Sequence, residues 1–266
     1  MIIVFDIGNT NIVAAIFNND EILHQWRINT DTKKTADEYL VILKSLLDSE
    51  NISFDCIEDA AVSSVVPDLT GPVISVCTKI CGKKPVILSS TTLSDERIPV
   101  KIESGTNELG TDLLCNSVYA ATKYSGKASI VVDFGTALTM IVTDDKKIIR
   151  GVTISPGLKT AVHSLSSNTA QLPVIPLTAP ESSLGLNTIQ SIQSGIILGY
   201  KGLVEFLVKS LKDDLQKVTG IKGEDVIVIA TGGLNSVLKP ITEIFDYVEK
   251  NLTILGLKEI YNLLRK

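Results

Sequence analysis

Residues 6–13 read Asp-Ile-Gly-Asn-Thr-Asn-Ile-Val, and residues 133–139 read Asp-Phe-Gly-Thr-Ala-Leu-Thr. Each stretch follows an apolar run and leads into another. Each therefore predicts a hairpin whose tip carries a carboxylate, a hydroxyl and bare backbone N–H groups. The N–H groups of a glycine-bearing turn bind anions, and a carboxylate beside them can hold a divalent metal. A single such turn would be read as an ordinary Asn-rich hairpin, but packing gives no reason to write the same polar tip twice. The repeat points to two similar half-molecules facing one polyphosphate and its metal. Asp6 and Asp133 would hold magnesium, directly or through water, and neutralise charge on a transferring phosphoryl group.

Three other sites carry candidate chemistry. Thr231-Gly232-Gly233 follows the apolar run 226–230, and Gly232 and Gly233 at a strand-to-helix turn leave room for a flat ring such as adenine. Many turns of this kind use glycine only for conformation; after two phosphate-type hairpins, nucleotide contact becomes the better reading. Gly110-Thr111-Asp112 opens a helix between the two hairpins. Asp112 there would accept the proton of an attacking hydroxyl, although the helix dipole alone also favours an acid in a first turn. Asn187-Thr188 starts a long helical pattern, with Thr188 either a cap-region hydroxyl or a substrate contact. His163, beside Pro156-Gly157, is expected to pack or face solvent. Cys77 and Cys81, four apart on a helical pattern, read as buried free thiols rather than metal ligands.

The elements that position these groups are short β-branched strands at 2–6, 12–17, 21–28, 59–64 and 85–88, with helices at 35–47 and 67–81. The first helix opens on a Thr35…Glu38 capping box. A helix from 108 to 124 is followed by strands at 128–133, 137–143 and 147–153, which repeat the opening meander. Residues 171–185, rich in Pro, Ser and Thr, form a loop. The long helix 187–215 carries Gly195, Gly199 and Gly202, each costing about 1 kcal/mol relative to alanine; close contact with another helix, within the chain or across a dimer, would offset that. A last strand spans 225–230, with a helix beginning near Leu234. The pattern is α/β with mixed sheets, in two domains at 1–115 and 116–266.

With 266 residues, 44% apolar and 21% charged, the chain has a globular composition and can build both cores. A net charge of −5 gives no electrostatic case for nucleic acid or an anionic membrane. No apolar stretch approaches the roughly 20 residues needed to span a bilayer. The opening residues show no basic leader with a cleavage site. A cytoplasmic protein is expected.

The two hairpins with a late Gly-Gly resemble the acetate kinase, sugar kinase, chaperone and actin superfamily. Along its whole length the chain is similar to type III pantothenate kinases. The matching stretches include residues 6–11, Trp26-Arg27-Ile28-Asn29-Thr30, residues 35–38, Ser63-Ser64-Val65-Val66-Pro67, residues 110–112, residues 133–139, Pro156-Gly157, residues 169–173, Asn187-Thr188 and Thr231-Gly232-Gly233. The resemblance implies two ribonuclease H-like (actin-like ATPase) domains, a homodimer, ATP with Mg2+, and a monovalent cation, K+ or NH4+. It implies phosphorylation of pantothenate to 4'-phosphopantothenate, the first step of coenzyme A biosynthesis. Carried over by position, Asp6, Ile7, Gly8, Asn9, Thr10, Asn11, Ile12 and Val13 line the ATP phosphates, and Thr136 touches them too. Asp133 holds the monovalent cation, Asp112 is the proton acceptor, and Gly110, Thr111, Leu113 and Thr188 lie at the substrate.

The departures from the family pattern gather at the acceptor side. The family's Gly-x-Asp-Arg has Leu113 in place of arginine, Glu103 stands where a tyrosine is usual, and Gly105-Thr106 replaces the Asn-Pro that commonly follows. Gly151-Val152 stands in for a Gly-Gly before Pro156. A lost charged hydrogen bond costs roughly 1.5–3 kcal/mol, about ten- to a hundredfold in affinity. Two other functions follow from that distribution: phosphorylation of a different small alcohol, or nucleotide binding by a non-catalytic regulatory or accessory protein. Retention of Asp112 favours an enzyme, since nucleotide binding alone needs no base there.

Overall fold

The computed structural model describes residues 1–89, 91–102 and 109–265. The first part of the chain forms β1 (Ile2–Ile7), β2 (Asn11–Asn18), β3 (Glu21–Asn29), α1 (Ala36–Ser49), β4 (Asp59–Ser64), α2 (Pro67–Cys81), β5 (Val86–Ile87), β6 (Lys101–Ile102) and α3 (Thr111–Lys123). Strands 1 to 5 make a sheet in the order β3-β2-β1-β4-β5. β1–β2–β3 is an antiparallel meander, and β4 lies parallel to β1 with β5 parallel to β4. Alternate β1 residues Ile3, Phe5 and Ile7 pack with Leu43 and Leu47 of α1 and Leu69 and Val73 of α2. Burying each such side chain contributes about 1.5–3 kcal/mol. The Thr35–Glu38 capping box is present at the start of α1. α2 begins with Pro67 in its first turn and ends at Gly82, whose φ of 67° lies in the left-handed region.

The second part forms β7 (Ala128–Phe134), β8 (Ala137–Thr143), β9 (Ile148–Pro156), α4 (Leu158–Asn168), α5 (Thr188–Gln193), a π-helical turn (Ser194–Leu198), α6 (Gly199–Thr219), β10 (Val226–Thr231), α7 (Asn235–Leu238), β11 (Tyr247–Val248) and α8 (Leu252–Arg265). Here β9-β8-β7-β10-β11 repeats the order and directions of the first sheet, antiparallel through the meander and parallel at β10 and β11. The α/β class with two mixed sheets, inferred from the repeated hairpin, is what the chain adopts. Residues 169–187 contain no helix or strand. The expected long helix is continuous from α5 through the π-helical turn into α6. A Cβ built at Gly195, Gly199 or Gly202 would meet nothing within 4 Å, so packing within the chain is not their purpose among the described residues.

The chain divides into one unit of Met1–Tyr119 with Thr253–Lys266 and a second of Ala120–Leu252. The expected boundary at 115/116 thus falls inside α3, and the chain's end returns to the first unit. Side chains on α8 account for that return. Arg265 Nη2 donates to Asp59 Oδ1 at 3.0 Å, and Tyr261 Oη donates to Asp59 Oδ2 at 3.1 Å. Lys258 Nζ donates to Asp20 Oδ1 at 3.2 Å. Gly256 has no Cβ, and one placed there would collide with the Cys115 carbonyl, so the backbones of α8 and α3 touch. Burial raises the Tyr261 hydroxyl to about 12, with the Asp59 charge adding to the effect.

Candidate active site

In the first unit the hairpin tip is a four-residue turn closed by the Gly8 N–H donating to the Asn11 carbonyl at 3.0 Å. Ile7 and Ile12 pair at its base, both buried, while Asn9 and Thr10 are exposed. A Cβ at Gly8 would lie 3.2 Å from the Asn11 oxygen, so glycine suits this tight return. Asp6 sits half-buried one step below, opposite Val13 in β2 and opposite Ser63 in β4. The tip is held from behind by Thr30, whose hydroxyl donates to the Gly8 carbonyl at 2.6 Å and whose N–H donates to the Thr10 carbonyl at 3.1 Å.

α3 begins on the same side of this unit. The Gly110 carbonyl accepts from Leu114 N–H at 3.0 Å, making Gly110 the cap. The Asp112 carboxylate folds back toward Gly110, where any side chain would strike its Oδ1. Oδ1 accepts the Leu113 N–H at 2.8 Å. Burial pushes the Asp112 carboxyl above the ordinary carboxylate range, outweighing its backbone hydrogen bonds. That is the direction a proton acceptor needs to hold a proton near neutral pH. Ser63 donates to Thr111 Oγ1 at 2.9 Å, so β4 grips the first turn of α3. The buried Cys115 thiol is raised well above its ordinary value by burial, with the Asp6 and Asp112 charges adding to it. Asp6, Asp112 and Cys115 thus belong to one electrostatic neighbourhood. Leu113 is 7% exposed and sets an apolar side chain beside Asp112 in the first turn of α3. Glu103 and Gly105-Thr106 lie outside the described residues.

The second unit repeats the device. Asp133 is half-buried and the Gly135-Thr136 tip exposed. Gly157 N–H donates to the Thr136 carbonyl at 3.0 Å, and Thr160 Oγ1 donates to the same oxygen at 2.8 Å. Gly157 therefore occupies the position after the third strand that Thr30 holds in the first unit. A Cβ there would meet the Thr136 carbonyl oxygen at 2.5 Å, which is why this residue is glycine. The repeat reaches a fourth strand: Asp133 pairs with Thr231 as Asp6 pairs with Ser63, placing a hydroxyl residue opposite each aspartate. Gly232, at φ 85°, then turns the chain over Asp133 and Phe134, and Asn235 Nδ2 donates to the Gly232 carbonyl at 2.6 Å.

Of the sequence-predicted residues, Asp6 through Val13 and Gly110 through Leu113 lie in the first unit. Asp133, Thr136, Gly232 and Gly233 gather around the β7–β8 tip in the second. Thr188 stands elsewhere in that unit, in the first turn of α5. The cap duty falls to Asn187, which accepts the Gln190 N–H at 2.9 Å. Thr188 lines an apolar cavity of about 460 Å³ with Leu165, Leu172, Ser191, Ile192, Gly195 and Ile196. His163 is exposed. All four cysteines are free: Cys77 is buried, Cys81 half-buried and Cys56 exposed. Thr30, Ser63, Gly157 and Thr160 were not singled out from sequence. The matching stretches containing Thr30 and Ser63, and the end of the repeated meander, held the signal.

Known proteins resemble this chain along most of its length. The family model described as type III pantothenate kinase matches residues 2–210. A type III pantothenate kinase of Exiguobacterium is 38% identical over 261 residues, covering 98% of both chains. Those of Brevibacillus brevis and Finegoldia magna are 37% and 35% identical, covering 98% and 99% of this chain and 98% and 97% of theirs. Among solved structures, a protein described as a Baf family transcriptional activator from Campylobacter jejuni shares the fold at a TM-score of 0.60 and 16% identity, with 99% of each chain covered. A reductive activator for a corrinoid, iron-sulfur protein aligns at a TM-score of 0.54 and 10% identity, covering 98% of this chain and 60% of its own. With a family model and full-length relatives in accord, the chain belongs to the type III pantothenate kinase family.

Proposed function

We propose that this protein transfers the γ-phosphoryl group of ATP to the hydroxyl of pantothenate, forming 4'-phosphopantothenate in the first step of coenzyme A biosynthesis. The observation that carries the reading is Asp112: a carboxyl raised by burial, at a capped helix start, in the unit that also presents the Asp6–Gly8–Thr10 tip. Asp112 accepts the hydroxyl proton as the pantothenate oxygen bonds to the γ-phosphorus. The bond from that phosphorus to the β–γ bridging oxygen breaks, and ADP leaves. Residues 6–13 and Thr136 are assigned to the ATP phosphates, Gly232 and Gly233 to the nucleoside. Gly110, Thr111, Leu113 and Thr188 are assigned to the acceptor.

Asp6 would hold Mg2+, whose chemistry is to neutralise phosphate charge, and Asp133 would hold a monovalent cation, K+ or NH4+. The donor chemistry fits. Around Asp133, glycines 135 and 232 bring backbone rather than side chains to the carboxylate, leaving the hard oxygen donors such cations take. The same reading makes the protein a cytoplasmic homodimer. No helix of the described residues is long and apolar enough to cross a membrane.

The test is incubation with ATP, Mg2+, K+ and pantothenate, following ADP and phosphopantothenate. Product that disappears in Asp112→Asn supports the reading. No product, with ATP alone raising the Tm, overturns it. A second reading, an altered acceptor, draws on Leu113, since the position offers no charge for a carboxylate-bearing substrate. On the pantothenate reading, Leu113→Arg lowers the KM for pantothenate by about tenfold; an unchanged KM shifts weight to another small alcohol.

A further inference from the structure

Ser63 is wholly buried in β4, in register with Asp6 of β1. Its hydroxyl donates to Thr111 Oγ1 at 2.9 Å, and Thr111 Oγ1 donates onward to the Ser64 carbonyl at 3.3 Å. The chain of hydroxyls ends on a backbone acceptor, so both hydroxyl protons are used. Thr111 is 8% exposed. Cys115, one turn along α3, is wholly buried.

Stability alone gives little reason for this arrangement. A buried hydroxyl pair can be replaced by apolar groups of the same shape at nearly no cost. What a hydrogen-bonded bridge adds is direction: it sets how the first turn of α3 lies along β4, and Asp112 is the next residue in that turn. The other end of the contact is the strand position beside Asp6. Two carboxylates with different proposed tasks are therefore referenced to a single serine.

We propose that the Ser63–Thr111 hydroxyl bridge is a positioning device for phosphoryl transfer, fixing the Asp112 carboxylate in register with the Asp6 hairpin. It rests on the assignment of Asp112 as proton acceptor, and the bridge acts through that group. Misplacing a reacting group by about 1 Å can cost a hundredfold in rate. Loss of one hydrogen bond in the supporting turn is expected to cost about tenfold in kcat.

Steady-state kinetics of the full chain test this, with kcat counted per ATP-binding-competent molecule. Ser63→Ala and Thr111→Val should each lower kcat about tenfold, with the KM for ATP within twofold. The double variant should fall no further than the worse single, because both changes break one link. Thr111→Ser keeps the hydroxyl and should retain more of the parent kcat than Thr111→Val. Unchanged kcat in both singles, multiplied losses in the double, or Thr111→Ser as poor as Thr111→Val would each overturn the proposal. If Ser63→Ala does not fold, the Thr111 pair decides. Asp112→Asn separates the two levels. Full activity there removes the base assignment and the bridge's role with it; an inactive Asp112→Asn beside fully active Ser63→Ala and Thr111→Val overturns the bridge alone.

Discussion

Gly232 lies against Phe134 so closely that a Cβ at residue 232 would stand 2.7 Å from the Phe134 nitrogen, and 2.5 Å from Asp133 Oδ1. Its φ of 85° adds a conformation that L-residues rarely adopt. Gly232→Ala is therefore expected to cost about 1–3 kcal/mol of stability, read as a lower Tm. Gly233 differs, since a Cβ there would meet nothing within 4 Å. Gly233→Ala should leave the Tm of the free protein within the range of a neutral change while shrinking the Tm rise given by ATP. An undiminished ATP shift would remove Gly233 from the nucleotide site.

Thr30 tests whether the hairpin tip is the phosphate site. Thr30→Val removes the hydroxyl bond to the Gly8 carbonyl and keeps the side-chain shape. One neutral hydrogen bond is worth about 1 kcal/mol, so the KM for ATP should rise about fivefold with pantothenate KM nearly unchanged. Equal rises in both would make Thr30 a general structural residue.

Asp112 gives a pH dependence with a definite sign. Its folded carboxyl is raised, so the base is deprotonated only above the ordinary carboxylate range. The acid limb of kcat should lie correspondingly high and vanish in Asp112→Asn. Linkage gives the stability effect. A raised carboxyl favours the fold while protonated, and that contribution is lost as pH rises through the folded value. At pH 7 Asp112→Asn should therefore raise the Tm while abolishing turnover. A lower Tm at that pH would contradict the burial that places Asp112.

Asp59 behaves in the opposite sense. Burial works to raise its carboxyl, but hydrogen bonds from Lys83, the Ala60 N–H and Arg265 outweigh it, and the net direction is downward. A depressed carboxyl stabilises above its unfolded value, and that stability is lost as pH falls through the folded one. The parent Tm should drop more steeply than that of Asp59→Asn on acidification below about pH 4. Parallel curves would mean that the α8 contacts to Asp59 contribute nothing.

What the sequence makes legible is local. A glycine- and threonine-bearing turn between two apolar runs announces itself within a dozen residues, so both hairpins, their aspartates and the meanders that carry them can be read directly. Thr30 and Ser63 are different, because their partners lie 22 and 48 residues away. A threonine at a strand end and a serine inside an apolar strand have no visible task until the sheet brings those partners alongside. α8 escaped for a related reason. Leu252, Ile254, Leu257 and Ile260 are buried, but nothing near them in the chain shows that their helix returns to strands formed some 200 residues earlier. The π-helical turn at Ser194–Leu198 is invisible too, since a single i→i+5 turn between two stretches of ordinary helix has no residue signature of its own.

The split first unit has a consequence during synthesis. Its last helix is translated only after all of Ala120–Leu252, so Asp59 in the nascent sheet lacks Tyr261 and Arg265 until α8 has emerged. The inserted unit, by contrast, is contiguous and can mature as it emerges. The later-made unit is thus free to complete itself first, and the emergence of α8 becomes the moment at which the opening strands acquire their full set of charge partners.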